Sequence, residues 1–183
     1  MRLVLVRHGQ ATAGWDADLD PGLSGRGVEQ ARAAATELAT LEETPWVILT
    51  SPLRRAQETA APLAAAWAVP AVVEPDIGEI PSPTAHLADR AAWLGGVMAG
   101  TWDDAGPDAL AWRARVLHAL TRQPAPAVMF SHFIAINVAV GAALDDRRVV
   151  SFWPDNGSRT HLEVARGRLE VVELGAEADT VVR

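Results

Sequence analysis

The sequence predicts an α/β fold in which a mainly parallel sheet is covered by helices on both faces. Three observations carry this. Short apolar runs without polar alternation, at residues 2–6, 46–50 and 127–131, are the pattern of parallel strands buried on both sides. Stretches with apolar residues at helical spacing lie between them. Each run stops at a polar junction, Arg7-His8, Ser51-Pro52 or Ser131-His132, and the carboxyl ends of parallel strands are where open α/β sheets bind ligands. At 183 residues the chain is sized for one domain, 1–183, whose core buries roughly 70% of the surface of the unfolded chain.

The elements follow in order. After the first strand and a loop, Ser24 caps a helix over residues 25–40 that uses Val28, Ala31, Ala35, Leu38 and Leu41 as its inward face. The strand Trp46–Thr50 runs into Ser51-Pro52, a capping hydroxyl followed by proline at a first helical position. The next helix reaches Trp67, with Leu53, Ala56, Ala60, Leu63 and Trp67 inward. Ala71–Glu74 is a short edge strand, and Asp76–Thr84, with its prolines and polar turn-formers, is a loop. Ala85–Met98 and Ala109–Thr121 are helices. Ala127–Ser131 is a strand, and Phe133–Leu144, polar only at Asn137, is a helix buried on most sides. The turn Pro154-Asp155-Asn156-Gly157 precedes two alternating strands, Thr160–Ala165 and Leu169–Leu174, joined as a hairpin at Arg166-Gly167.

Composition removes several chemistries. The net charge of −7 argues against nucleic-acid phosphates or anionic membranes as partners. The four apolar residues before Arg7 are too few for a signal peptide or a spanning helix, so the expected location is the cytoplasm. Without cysteine there is no thiol nucleophile, disulfide or zinc-thiolate site. All 16 basic residues are arginine, which removes the P-loop lysine, Schiff bases and the lysine of aspartyl-phosphate phosphatases. Asp16-Ala17-Asp18 follows no apolar strand and reads as a solvated loop.

What remains points to phosphate chemistry. A phosphate monoester carries roughly −1.5 to −2 charge near neutral pH and needs fixed positive charge with several donors. The arginine fork supplies both. Arg7 is one source; of Arg54 and Arg55, about 100° apart on a helix, one faces the site. His8, fixed at a strand end, suits attack on phosphorus through a neutral ring nitrogen. His132 suits donation to the phosphoryl oxygens. Glu79, an acid among apolar neighbours that raise its pKa, suits protonation of the leaving oxygen.

The segments Arg7-His8-Gly9-Gln10, Leu23-Ser24-x-x-Gly27-x-x-Gln30-Ala31, Ser51-Pro52-Leu53-x-Arg55-Ala56-x-x-Thr59-Ala60, Glu79-Ile80 and Ser131-His132 resemble, in order, the histidine phosphatase superfamily, the phosphoglycerate-mutase-like group. The resemblance implies a three-layer α/β/α sandwich and a metal-free, cofactor-free phosphomonoesterase of the histidine acid phosphatase kind. It makes His8 the phosphorylated nucleophile, places Arg7, Arg55 and His132 around the phosphate, and favours Arg55 because it directly precedes the alanine. It makes Glu79 the proton donor that later deprotonates water. The substrate expected is a phosphorylated small molecule or phosphoprotein, with Gln10 and Phe133 near it. Two departures stand out: many relatives have asparagine where Gly14 falls, and glycine where Phe133 follows the second histidine.

Two other functions compete. A phosphoglycerate-mutase-type phosphotransferase shares the first step, although this chain is short for the substrate-enclosing segments of the glycolytic mutases. A catalytically weak phospho-ligand binder is the reading that Gly14 and Phe133 favour. His86, His118 and His161 have no metal-ligand spacing. Trp93, Trp102 and Trp112 read as packing residues, Trp15 and Trp153 as packing or substrate-mouth residues, Arg147-Arg148 as a solvated pair, and Asn156-Gly157-Ser158 as a turn outside catalysis. The apolar helix Phe133–Leu144 carries no evidence for a dimer.

Overall fold

The computed structural model describes residues 1–14, 17–41 and 44–178. Its elements are β1 (Arg2–Arg7), α1 (Gly25–Leu41), β2 (Val47–Thr50), α2 (Arg54–Trp67), β3 (Ala71–Val73), α3 (Leu87–Ala99), α4 (Gly106–Thr121), β4 (Ala127–Ser131), α5 (Phe133–Leu144), β5 (Arg159–Ala165) and β6 (Arg168–Glu173). One six-stranded sheet has the order β3-β2-β4-β1-β5-β6. Its first four strands are parallel, and the β5–β6 hairpin is added antiparallel beside β1. Arg166 and Gly167, both at positive φ, make the hairpin turn. No helix among the described residues is long and apolar enough to cross a membrane.

Period-two alternation divides the core between the two faces of the sheet. Leu3, Leu5, Ala127 and Met129 pack with Val116 and Leu120 of α4 and Ile134 and Val138 of α5. Val4, Val6, Val128 and Phe130 pack with Ala34, Ala35 and Leu38 of α1 and Ala60 and Leu63 of α2. The three layers expected from the sequence are therefore present. Trp102 and Trp112 sit in the first cluster with ring centroids 6.3 Å apart, and Trp93 packs against it. They are core residues.

Several local expectations are corrected. Val28 is 36% exposed and Leu41 62%, while Gly27 and Ala34 take inward places on α1. Small residues face inward there because α1 packs closely on α2, and Gly27 lies against backbone. Ser24 does cap this helix, its Oγ accepting from Gly27 N at 3.1 Å. Pro52 is not the first helical residue: α2 begins at Arg54, with extended Leu53 before it. Ser51 Oγ accepts instead from Leu53 N, and Asp20 Oδ1 takes the Arg54 N–H at 2.8 Å. Trp67 is only partly buried.

Asn137 explains itself in the fold. Fully buried, it donates through Nδ2 to Phe133 O and accepts through Oδ1 from Ser151 N at 2.7 Å and Phe152 N at 3.1 Å. It thereby pins the segment leading to the 154–158 turn onto α5. Replacing Asn137 by Leu leaves two backbone donors without their acceptor, each costing about 1–3 kcal/mol. The expected loss is therefore about 2–6 kcal/mol in urea unfolding; an unchanged midpoint contradicts the assignment.

Candidate active site

Strand register assembles the site. β2, β4 and β1 are neighbours and run parallel, with Thr50 opposite Phe130 and Arg7 opposite Ser131. The ladder extends one step further: Ser51 N donates to Phe130 O and His8 N to Ser131 O, both at 3.0 Å. Alternation continues Val4-Val6 into His8 and Val128-Phe130 into His132, so both imidazoles emerge on the α1/α2 side. Their ring centroids are 5.1 Å apart. Arg7 has the opposite parity and points toward α5.

His8 is held in one tautomer. Its Nδ1 lies 2.8 Å from Gly9 O, which only accepts, so Nδ1 carries the proton and Nε2 is the bare nitrogen. Arg55 Nε donates to that Nε2 at 3.2 Å. Burial, then Arg55 and Arg7, press the His8 pKa well below the usual histidine value. The loop that follows is fixed by backbone contact. A Cβ on Gly9 would meet Gly27 O at 2.4 Å, and one on Gly27 would meet Gln10 O at 2.1 Å. Thr59 Oγ1 accepts from Gly9 N and donates to Arg55 O, tying the loop to α2.

The arginines are buried: Arg7 is 7% exposed and Arg55 6%. Arg54 instead faces outward and pairs with Glu58. Arg7 Nη1 donates to Pro154 O at 2.7 Å, and its guanidinium lies 5.2 Å from the Phe133 ring centroid. Desolvation lowers the Arg7 pKa to about 10, against the raising influence of Glu79 and Asp155. Arg55 is lowered by burial too, opposed by Glu79 and Asp20. Its Nη1 lies 3.9 Å from Asp20 Oδ1.

Glu79 sits between the buried Ile77 and Ile80, on a segment tied to β4 by Ser131 Oγ donating to Ile77 O at 2.7 Å. Its carboxylate accepts from Ile80 N at 2.9 Å and, at the start of α5, from Ile134 N at 3.3 Å. Burial raises its pKa despite these donors and the arginines. His132 is completely buried, with Nε2 2.7 Å from Ser51 Oγ and Nδ1 without a hydrogen-bond partner among the described residues. Burial, then Arg55, His8 and Arg7, hold it neutral.

Arg7, His8, Arg55 and Glu79 line a cleft of about 420 Å³, with the fully buried His132 packed behind His8. A family model described as the histidine phosphatase superfamily, branch 1, matches residues 3–177. The chain belongs to that superfamily. A glucosyl-3-phosphoglycerate phosphatase of Mycolicibacterium vanbaalenii is 39% identical over 117 residues, which cover 61% of this chain and 47% of that protein. The chain thus matches less than half the length of this curated relative. Among solved structures, a mycobacterial hydrolase superposes with TM-score 0.72 at 26% identity, covering 97% of this chain and 99% of the other. Mycobacterial glucosyl-3-phosphoglycerate phosphatase with inorganic phosphate superposes with TM-score 0.69 at 27% identity, covering 98% and 99%.

Within this histidine phosphatase fold, His8, Arg7, Arg55, Glu79 and His132 come together, and Gln10 and Phe133 line the cleft. The two departures line it as well: Gly14 at the wall, and Phe133 as the ring beneath Arg7. The Trp153 ring is tilted against Phe133, centroids 5.2 Å apart. Trp15 and Asp16 lie outside the described residues. Asp18 is exposed but borders the cleft, as do three residues that sequence reasoning passed over: Arg90 of α3, Asp155 and Asn156. Asn156 Nδ2 donates to His8 O at 2.8 Å, so the late turn supports the first strand's end. In the sequence Asn156 reads only as part of a turn, with nothing to link it to His8 across 148 positions.

The buried rings give stability a pH dependence. As pH falls below about 6.5 the unfolded chain protonates His8 and His132 while the fold keeps them neutral. The unfolded state then binds more protons, so stability falls with falling pH, by about one proton of slope per ring. Glu79, raised in the fold, acts in the opposite sense above its unfolded value of 4.5 and offsets part of this. Thermal unfolding should therefore show a midpoint that drops between pH 7 and 5.5, and drops less steeply in His8→Asn. An equal slope in both proteins contradicts the assignment.

Proposed function

We propose that the chain is a phosphomonoester hydrolase working through a phosphohistidine on His8. The observation that carries this reading is a neutral imidazole with its bare Nε2 beside Arg55 and a second buried imidazole, at the end of a cleft. When a phosphoryl group enters, Arg55 transfers its hydrogen bond from Nε2 to a phosphoryl oxygen and, with Arg7, offsets the dianion. The Nε2 lone pair attacks phosphorus, the ester P–O bond breaks, and the leaving oxygen takes the Glu79 proton. Glu79, now ionised, accepts a proton from water as that water attacks the phosphohistidine. The P–N bond breaks, its electron pair returns to Nε2, and inorganic phosphate leaves.

His8→Ala should reduce hydrolysis of an aryl phosphate by about three orders of magnitude or more. Wild-type protein given a ³²P-labelled substrate should carry a label that is lost in acid and kept in base. Undiminished turnover in the variant, or no labelled protein, contradicts the mechanism. Isomerisation of phosphoglycerate without phosphate release would favour a mutase.

The far part of the cleft bears on the substrate. Arg90 lines it and lies near enough to Arg55 to help depress the Arg55 pKa. A phosphoglycerate ester, as in the name of the mycobacterial relative, carries a carboxylate besides its phosphate, and Arg90 is placed to receive it. A charge-assisted pair of this kind contributes about 1.5–3 kcal/mol. Arg90→Ala should therefore raise KM roughly tenfold or more for 3-phosphoglycerate and change it little for an uncharged aryl phosphate. Equal losses on both substrates would place Arg90 at the phosphate instead.

A further inference from the structure

Ser51 stands at the end of β2, completely buried, and its hydroxyl has two partners among the described residues. Leu53 N is 3.2 Å away and donates, so Oγ accepts there. The other partner is His132 Nε2, at 2.7 Å. A hydroxyl has one proton to give, and Nε2 is the one acceptor bonded to it among the described residues. Were Nε2 protonated, Oγ would accept from both sides and its own proton would be buried without an acceptor, a cost that native interiors avoid. We propose that Ser51 is a positioning residue that fixes the tautomer of His132: its O–H donates to Nε2, and the ring is kept as Nδ1–H with that donor directed to the phosphoryl group.

The geometry gives this a chemical consequence. Both imidazoles are then Nδ1–H tautomers, put to opposite uses. His8 spends its N–H on Gly9 O and offers a bare nitrogen; His132 spends its bare nitrogen on Ser51 and offers an N–H. The reversed tautomer of His132 would turn a lone pair toward phosphoryl oxygens and repel them. Burial beside Arg55 and Arg7 keeps the ring neutral, so one proton, and its location, decides whether the ring attracts or repels the anion. The inference rests on the phosphatase reading for its effect on rate, whereas the tautomer itself is independent of activity.

The test separates the two. In protein labelled with ¹⁵N-histidine, with His132 signals assigned through their loss in His132→Gln, Nε2 should resonate as unprotonated and Nδ1 as protonated. In Ser51→Ala both should move toward values averaged over two tautomers, and kcat on an aryl phosphate should fall about tenfold or more with a smaller change in KM. Ser51→Thr, which keeps the hydroxyl, should restore both the spectrum and kcat. A protonated Nε2 in the wild-type protein overturns the proposal, with no variant needed. So does a fall in kcat in Ser51→Ala that leaves the His132 nitrogen shifts unchanged. The expected tautomer in a protein lacking phosphatase activity would uphold the role of Ser51 and reject the phosphatase reading.

Discussion

The parallel register of β2, β4 and β1 is the constraint on which this site depends. Because Thr50 and Val6 both lie opposite Phe130, Ser51, Ser131 and Arg7 stand at one level, and His8 and His132 follow one step beyond. Alternation then decides direction: both histidines take the face of α2, where Arg55 waits, and Arg7 takes the face of α5. A slip of one residue in β1 or β4 would send an imidazole to the wrong layer. The remaining contacts refine a position that the ladder has already chosen. Gly9 and Gly27 let backbone meet backbone, Thr59 anchors the loop, and Asn156 supports His8 from the antiparallel side.

Electrostatically the cleft is arranged around charge that the resting protein compensates only in part. Arg7 and Arg55 are buried, with Asp155 acting on the first and Asp20 on the second, and burial, which also raises the Glu79 pKa, still depresses both. The imidazoles stay neutral because two guanidinium groups and the dry surroundings discourage a further cation. A dianion bound there would relieve the arginines.

Much of this was legible in the chain. Ala127–Ser131 and Phe133–Leu144 have the bounds expected from sequence, since an unbroken apolar strand and a nearly all-apolar helix leave little choice. The motif order also pointed to the residues now seen together. What escaped depends on distance in sequence. Arg90 resembles any solvated helical arginine until α3 is packed beside the cleft. Ser51 resembles a helix cap until β4 brings His132 to it from 81 positions away. Val28 and Leu41 satisfied the helical period but lost their inward places to Gly27, which lies against the Gln10 backbone, and to Ala34, packed between α1 and the sheet.

The strand that leads into His8 is synthesised early and completed late. β1 pairs with nothing nearby in sequence; its two neighbours are β4, beginning at Ala127, and β5, beginning at Arg159. On the ribosome, the first strand must remain without its sheet until most of the polypeptide has emerged, while α1, β2 and α2 are already available to fold on one another. Such long-range closure slows folding and leaves an apolar segment open to aggregation meanwhile. Assembly of the cleft and resistance to aggregation therefore arrive together, at the moment the last third of the chain docks.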